Sequence, residues 1–221
     1  MIFTISTAWN HHHENYFYHA CCQGNSADYL ANENTLESLD RAIGDGDHYI
    51  NMKRGAQAIV DIETELAVLS PEAALNKIGL KLLSTIGGAS GPLLASFFMS
   101  MGKALQSHEG ESHLKIASAF AAGVQAIIQR GKANLGEKTM LDVLIPVSNQ
   151  FLLLAQQNSD TALICKGLIE TAELGMLATQ DLIATKGRAA GLGERAIGHI
   201  DPGAKSCQLM ITSVCNLILK S

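Results

Sequence analysis

Aromatic residues make up only 5% of this 221-residue chain, which has a single Trp and four Pro, and the Val, Thr and Tyr that crowd into strands are sparse. That scarcity argues against a β-sandwich or barrel. With 47% hydrophobic residues, rich in Ala, Leu and Ile, the composition favours an all-α protein. Runs of Lys and Arg are missing as well: the net charge is −5, and no basic cluster could follow a phosphate backbone, so nucleic acid is not an expected partner. No apolar stretch approaches the length of a bilayer span, and the N-terminus has no basic region ahead of an apolar one, so neither a membrane partner nor export is expected and the chain reads as cytoplasmic. The five cysteines, Cys21, Cys22, Cys165, Cys207 and Cys215, are odd in number and lack C-x-x-C spacing, which suggests neither a disulfide framework nor a zinc site. Ser-His-Asp, Cys-His, zincin and Rossmann signatures are absent too.

The length suits one domain with a full core. Residues 1–30 read as a divergent N-terminal segment, a first helix or partly irregular, holding Trp9, the run His11-His12-His13 and the vicinal pair Cys21-Cys22; no function is assigned to them. Residues 31–221 read as a single helical domain. Periodicity and caps predict helices over about 34–40, from near His48 with Met52, Ala56, Ile59 and Val60 inward, and from Ser70-Pro71-Glu72 to Thr85 before Gly87-Gly88. Others are predicted from near Pro92 to about Leu105, over 113–130 with Gly131 just past the C-cap, from near Lys138-Thr139, from Asp160-Thr161 to about Thr185, and over Lys205–Lys220. The polar stretch 106–112 reads as a surface loop. The count is about eight helices.

Three carboxylates, Asp40, Asp45 and Asp47, stand within eight residues, punctuated by Gly44 and Gly46 and followed by His48 and Asn51. So many anions in one turn repel one another unless a cation sits among them. Carboxylate oxygens suit Mg²⁺ or Ca²⁺. An EF-hand read from Asp45 fails, because Ile50 falls where Gly is required and Ala56 where Glu is required. Magnesium keeps few protein ligands and takes the rest from water and phosphate, so the turn points to a metal–nucleotide complex. An acidic turn that only caps the next helix is the alternative.

Three further stretches could complete such a site. Gly87-Gly88-Ala89-Ser90-Gly91-Pro92 is a glycine-rich turn entering a helix, where amides and the Ser90 hydroxyl could cradle phosphate; a tight interhelical turn needs the same glycines. Gly131-Lys132 and Gly136–Asp142 include Met140, a soft face for a purine or plain core filler. Residues 186–203 form a loop too long for a simple bundle connection, with Arg188, Arg195, His199 and a closing Asp201-Pro202-Gly203 turn. Arg188 could fork onto phosphate. Phosphoryl transfer needs positioned phosphates and neutralised charge rather than a protein nucleophile, which suits these residues.

Together IGDGDHxxNMxRG, GGASGPL, RGKAxxGEKTMxDV and KGRAxxLGERxIGHxDPGA resemble, in family order, the nucleotide-binding subunit of dihydroxyacetone kinase over about residues 32–215. The resemblance implies an eight-helix antiparallel up-and-down barrel with the nucleotide site at one end. It implies Mg²⁺ on Asp40, Asp45 and Asp47, and ADP or ATP against His48, Tyr49, Ile50, Asn51, Ala89, Ser90, Gly131, Met140, Arg188, Asp201, Pro202 and Gly203. No certain catalytic residue falls in this chain. The implied partners are a dihydroxyacetone-binding kinase subunit that carries the acceptor, and a phosphotransferase-system protein that rephosphorylates bound ADP; a homodimer is expected. Alternatives are an ATP-dependent kinase subunit for another short ketose, or a nucleotide-loaded regulatory module that binds a transcription activator. Two positions depart from the family pattern: Tyr49 replaces Gly, which would set a bulky ring beside the phosphates, and Ala190-Gly191 replace Ser-Tyr, which would loosen the lid.

Overall fold

The computed structural model describes residues 31–107 and 112–220. The readings made for residues 1–30, and residues 108–111 of the polar loop, lie outside the described residues. Eight helices of eleven residues or more carry the fold, and no strand occurs among the described residues. They are α1 (Glu33–Ile43), α2 (His48–Val60), α4 (Pro71–Thr85), α5 (Ser90–Ser107), α6 (Ser112–Gly131), α7 (Leu141–Gln156), α8 (Thr161–Ala178) and α9 (Pro202–Lys220), with a single turn α3 (Glu63–Leu66) between α2 and α4. Two 3₁₀ segments, Thr179–Asp181 and Arg188–Ala196, occupy the α8–α9 connection. No helix among the described residues is long and apolar enough to cross a membrane.

Local chemistry sets several boundaries. Ser70 accepts a bond from Ala73 N at 3.4 Å ahead of Pro71, and Asp160 accepts one from Leu163 N at 2.7 Å, so α4 and α8 begin at side-chain caps. Thr139 and Asp142 form a capping box for α7: Asp142 Oδ2 accepts from Thr139 N at 2.7 Å, and Thr139 Oγ1 accepts from Leu141 N at 3.1 Å. The start of α9 is Pro202 rather than Lys205, because Asp201 Oδ2 caps Ala204 N at 2.8 Å and Pro takes the first helical position. Helix α8 stops at Ala178 instead of running to Thr185. The Thr179 carbonyl, which a continuing helix would offer to residue 183, is taken by the Lys138 ammonium. Gly131 is still helical, and Lys132, at φ 48°, is the residue that turns left-handed after α6. On α2 the buried positions are Tyr49, Asn51, Met52, Gly55 and Ala58, with Ala56, Ile59 and Val60 only half-buried.

Each long helix packs on the next in sequence, through α2 on α4 and onward to α8 on α9, and α9 returns onto α1. The neighbours therefore close a ring. One core cluster lies among α1 to α5, with Leu36, Tyr49, Leu66, Ile78 and Leu82; a second lies among α5 to α9, with Phe97, Ile127, Val143, Leu168 and Ala172. Phe98, Met140 and Met210 pack against both. Phe97 meets Phe98 and Phe120 edge-on, with centroids 5.2 and 5.3 Å apart. Pro146 sits inside α7 and has no N–H to give the Asp142 carbonyl four residues back. Gly175 of α8 lies against that carbonyl, so closely that a Cβ there would come within 2.4 Å of it.

When sequence neighbours pack side by side through short turns, alternate connections share one end of the bundle. Those ending α1, α4, α6 and α8 carry every motif singled out in the sequence.

Candidate functional site

The turn after α1 is built around Asp40. Its carboxylate is 3% exposed, and Oδ2 accepts the backbone N–H of His48 at 2.9 Å. Gly44 makes this possible, since a Cβ on residue 44 would fall 1.8 Å from Asp40 Oδ1. Gly46 follows with φ +80°, the left-handed conformation that glycine adopts freely. One carboxylate oxygen each from Asp40, Asp45 and Asp47 then lies within 4.8 Å of the others, with Asp45 and Asp47 exposed. Among the described residues, repulsion in this trio is met by the side-chain cation of Arg188, whose Nε donates to Asp45 Oδ2 at 2.8 Å.

Arg188 reaches the turn because its 3₁₀ segment docks on α1. Ala184, Ala189 and Ala196, helped by Leu192, bury Ile43 at the end of α1, and their small side chains let the loop come close. His48 anchors the other side, with Nε2 2.7 Å from Ser206 Oγ in α9 and a hydrogen bond to the Pro202 carbonyl. Burial lowers the His48 pKa, against the opposing pull of Asp40, Asp47 and that carbonyl. The metal turn and the start of α9 are thus fastened together across the seam of the ring.

The other loops reach the same end. Asn51 is buried, and a Cβ on Gly87 would lie 3.1 Å from its Oδ1, so the Gly87–Ser90 turn sits directly against α2. Gly88, at φ +65°, turns the chain into α5, whose first residue is Ser90; Ala89 beside it is exposed. Gly131 faces Leu93 of α5. Met140, half-buried, stands 3.7 Å from where a Gly203 Cβ would be, so the α6–α7 loop and the start of α9 meet. Thr185 N donates to the Glu137 carbonyl at 3.3 Å and its hydroxyl to Glu137 Oε1 at 2.7 Å, joining that loop to the segment leading to Arg188.

All four sequence motifs thus share one end, but the side chain of one residue named from the sequence, Tyr49, turns into the core. Tyr49 does not crowd the turn: it is 3% exposed and packs into the α1–α5 core, with Lys53 Nζ 5.5 Å from its ring centroid. Burial raises its pKa. Ile50 is 56% exposed. Among the pair that departs from the family pattern, Gly191 is exposed with nothing within 4 Å of a would-be Cβ.

Several residues that organise this end were not singled out in the sequence. Lys138, 1% exposed and at φ 58°, donates to the carbonyls of Thr179 and His199, each at 2.5 Å. Burial lowers its pKa while Asp201, Asp181 and Asp142 oppose that. Thr179 is fully buried, donates to the Met176 carbonyl at 2.7 Å and accepts from Asp201 N at 3.0 Å. Enclosure of the Asp201 carboxyl pushes its pKa up to about 7, offset in part by the Ala204 amide and Lys138. Asp142, buried, also accepts from Gly136 N at 2.5 Å. The Thr139–Asp142 spacing is a capping-box signal legible in sequence; the long-range partners of Lys138 and Thr179 leave none.

The fold and this gathering of loops define a class. The DAK2 domain model matches residues 42–216, and the chain belongs to that family. More particularly, it is 39% identical over 176 residues, 80% of this chain and 84% of the relative, to the ADP-binding subunit of the PEP-dependent dihydroxyacetone kinase of Escherichia coli (strain K12). A PTS-dependent counterpart from Lactococcus lactis is 37% identical, with 85% of this chain and 89% of that one covered. The solved dihydroxyacetone kinase of C. freundii shares the fold at a TM-score of 0.71 and 23% identity; the match covers 90% of this chain and 34% of that longer one.

Proposed function

We propose that this chain is the phosphoryl-donor subunit of a dihydroxyacetone kinase. It holds Mg-ADP or Mg-ATP at the end of the bundle where the four loops meet, and in the ATP form passes the γ-phosphoryl group to dihydroxyacetone carried on a partner kinase subunit, leaving ADP in place. The single observation that carries this is the trio of Asp40, Asp45 and Asp47, with oxygens within 4.8 Å of one another and facing loops suited to phosphate and purine. The names of the relatives, PEP-dependent and PTS-dependent kinase subunits, support rephosphorylation of bound ADP by a phosphotransferase-system protein over exchange with free ATP.

The donor set fits magnesium: three hard carboxylate oxygens, too few to complete a calcium shell, with room left for phosphate. Bound there, the ion would neutralise charge on the phosphates. The chain's own residues do the rest. Asp40 is fixed by the His48 amide, while His48, held by Ser206 and the Pro202 carbonyl, fixes the turn against α9. Arg188 is placed to leave Asp45 for a phosphate oxygen, as a guanidinium fork suits either anion. The Gly88–Ser90 turn leads into the positive end of α5 at the same end of the bundle, where its amides would serve a phosphate, and Met140 beside Gly203 would offer an apolar face for the base. In the transfer, the bond from the terminal phosphorus to the bridging oxygen breaks, a bond to an acceptor hydroxyl oxygen forms, and that hydroxyl loses its proton to the partner subunit.

Reconstitution tests this. The chain, loaded with Mg-ADP, is mixed with a dihydroxyacetone-binding subunit and dihydroxyacetone, and either phosphoenolpyruvate with phosphotransferase proteins or ATP. Dihydroxyacetone phosphate should form with the first donor. Product only with ATP would move the assignment to the ATP-dependent branch. No product with either donor, alongside tight binding to a transcription activator, would replace the enzyme reading with a regulatory one.

A further inference from the structure

Lys138 is the least expected buried group in this domain. An ammonium withdrawn from water carries a desolvation cost, and a left-handed φ on a residue with a Cβ adds strain. The two acceptors of Lys138 belong to different segments, Thr179 at the end of α8 and His199 just ahead of α9. Thr179 in turn accepts from Asp201 N, Asp201 caps α9 through Ala204 N, and the first turn of α9 bonds His48 through Pro202 and Ser206. A single hydrogen-bonded path therefore runs from Lys138 to the amide that fixes Asp40.

We propose that Lys138 is a positioning residue for the nucleotide: by tying the 132–140 loop to Thr179 and His199, it holds Met140, Asp201 and Gly203 in register with the Asp turn. The inference rests on the nucleotide reading above. Lys138 is enclosed and touches no ligand space, so it acts through these neighbours. Without the ammonium the His199 carbonyl loses its Lys138 donor and the Thr179 carbonyl keeps only the long 3.3 Å bond from Leu182 N, so the segment ahead of α9 gains by swinging out to water, since a buried acceptor left bare is costly. The site then spends part of its time open, and apparent nucleotide affinity falls by the fraction that remains closed.

The test uses the full chain, Mg-ADP titrated by calorimetry, and native-state hydrogen exchange, comparing wild type with Lys138→Met and Thr179→Val. For Lys138→Met, of similar length but without donors, the Kd should rise about tenfold, as expected when a buried acceptor loses a charged donor. Amides of Asp201 and Ala204 should lose protection while those of α5 and α6 keep theirs. Thr179→Val removes the acceptor for Asp201 N together with the hydroxyl's own bond to the Met176 carbonyl within α8, and should weaken binding in the same direction by a smaller factor. A folded Lys138→Met protein with wild-type Kd, or one whose protection falls evenly across all helices with Kd unchanged, would overturn the proposal. Should Lys138→Met fail to fold, a wild-type Kd in Thr179→Val overturns it equally. Wild type that does not bind Mg-ADP would instead remove the nucleotide reading, and this inference with it.

Discussion

Gly44→Ala isolates the geometry of the metal turn. The backbone at residue 44 is extended, φ −122° and ψ −153°, so alanine carries no dihedral penalty there. Its Cβ, however, would sit 2.9 Å from Asp40 Cγ and 1.8 Å from Asp40 Oδ1, the second more than an ångström inside the approach real side chains tolerate. The carboxylate must rotate away, and with it goes the charge-assisted bond from His48 N, worth about 1.5–3 kcal/mol. The stiffer unfolded chain returns about 0.4–1 kcal/mol. The net loss is about 1–2 kcal/mol, which lowers Tm by about 2–8 °C for a domain of this size. Binding should suffer far more than folding, because Asp40 is pulled out of the trio: Mg-ADP affinity should drop at least about tenfold. Thermal melting and titration calorimetry measure the two effects side by side. Gly102→Ala is the control, since its Cβ would meet the Glu72 carbonyl at 2.9 Å between α5 and α4, toward the other end of the bundle; it should lower Tm and leave affinity alone. Wild-type affinity in Gly44→Ala would refute the reasoning, because it would mean that Asp40 is not held by the space Gly44 leaves.

Gly175→Ala should destabilise by about 1–3 kcal/mol or more, as its Cβ would press within 2.4 Å of the Asp142 carbonyl with backbone on both sides; urea unfolding reads this directly. Arg188→Gln breaks an ion pair whose side chains are 76% and 40% exposed, so stability should change by no more than about 1 kcal/mol while Mg-ADP binding weakens clearly; a loss of stability with full binding would contradict the role given to Arg188. Asp201 has a folded pKa raised to about 7 from its ordinary 3.8, so its contribution is fully present below about pH 4 and is lost as pH rises toward and through 7. Melting temperature should therefore fall across that window, and Asp201→Asn, which can still cap α9, should flatten the fall; an unchanged profile in the variant would show that Asp201 does not set the pH dependence.

Local signals carried most of the fold. Ser70-Pro71 and Asp160 mark helix starts by their own side chains, and both starts were legible for that reason. Asp201-Pro202 carries the same kind of signal, yet the glycine-rich loop ahead of it hid the helix start. The end of α8 was illegible because a side chain 41 residues away takes the Thr179 carbonyl. The site follows the same division. Asp40, Asp45 and Asp47 are close in sequence, so repulsion among them could be reasoned from spacing alone. That Arg188 meets Asp45, that His48 meets Ser206 and that Tyr49 turns into the core depend on how the ring closes, and spacing cannot say it. The expected clash of Tyr49 with phosphates assumed that its ring follows its backbone; in the structure only the backbone stays at the turn.

Native mass spectrometry of the purified chain with Mg-ADP, beside the Asp45→Asn/Asp47→Asn double variant, bears most directly on the assignment of the acidic turn. Wild type should carry one ADP with magnesium per chain, and the double variant should carry neither. Full nucleotide occupancy in the double variant, or an empty wild type at saturating Mg-ADP, would contradict the claim that these carboxylates clamp a metal-bound nucleotide.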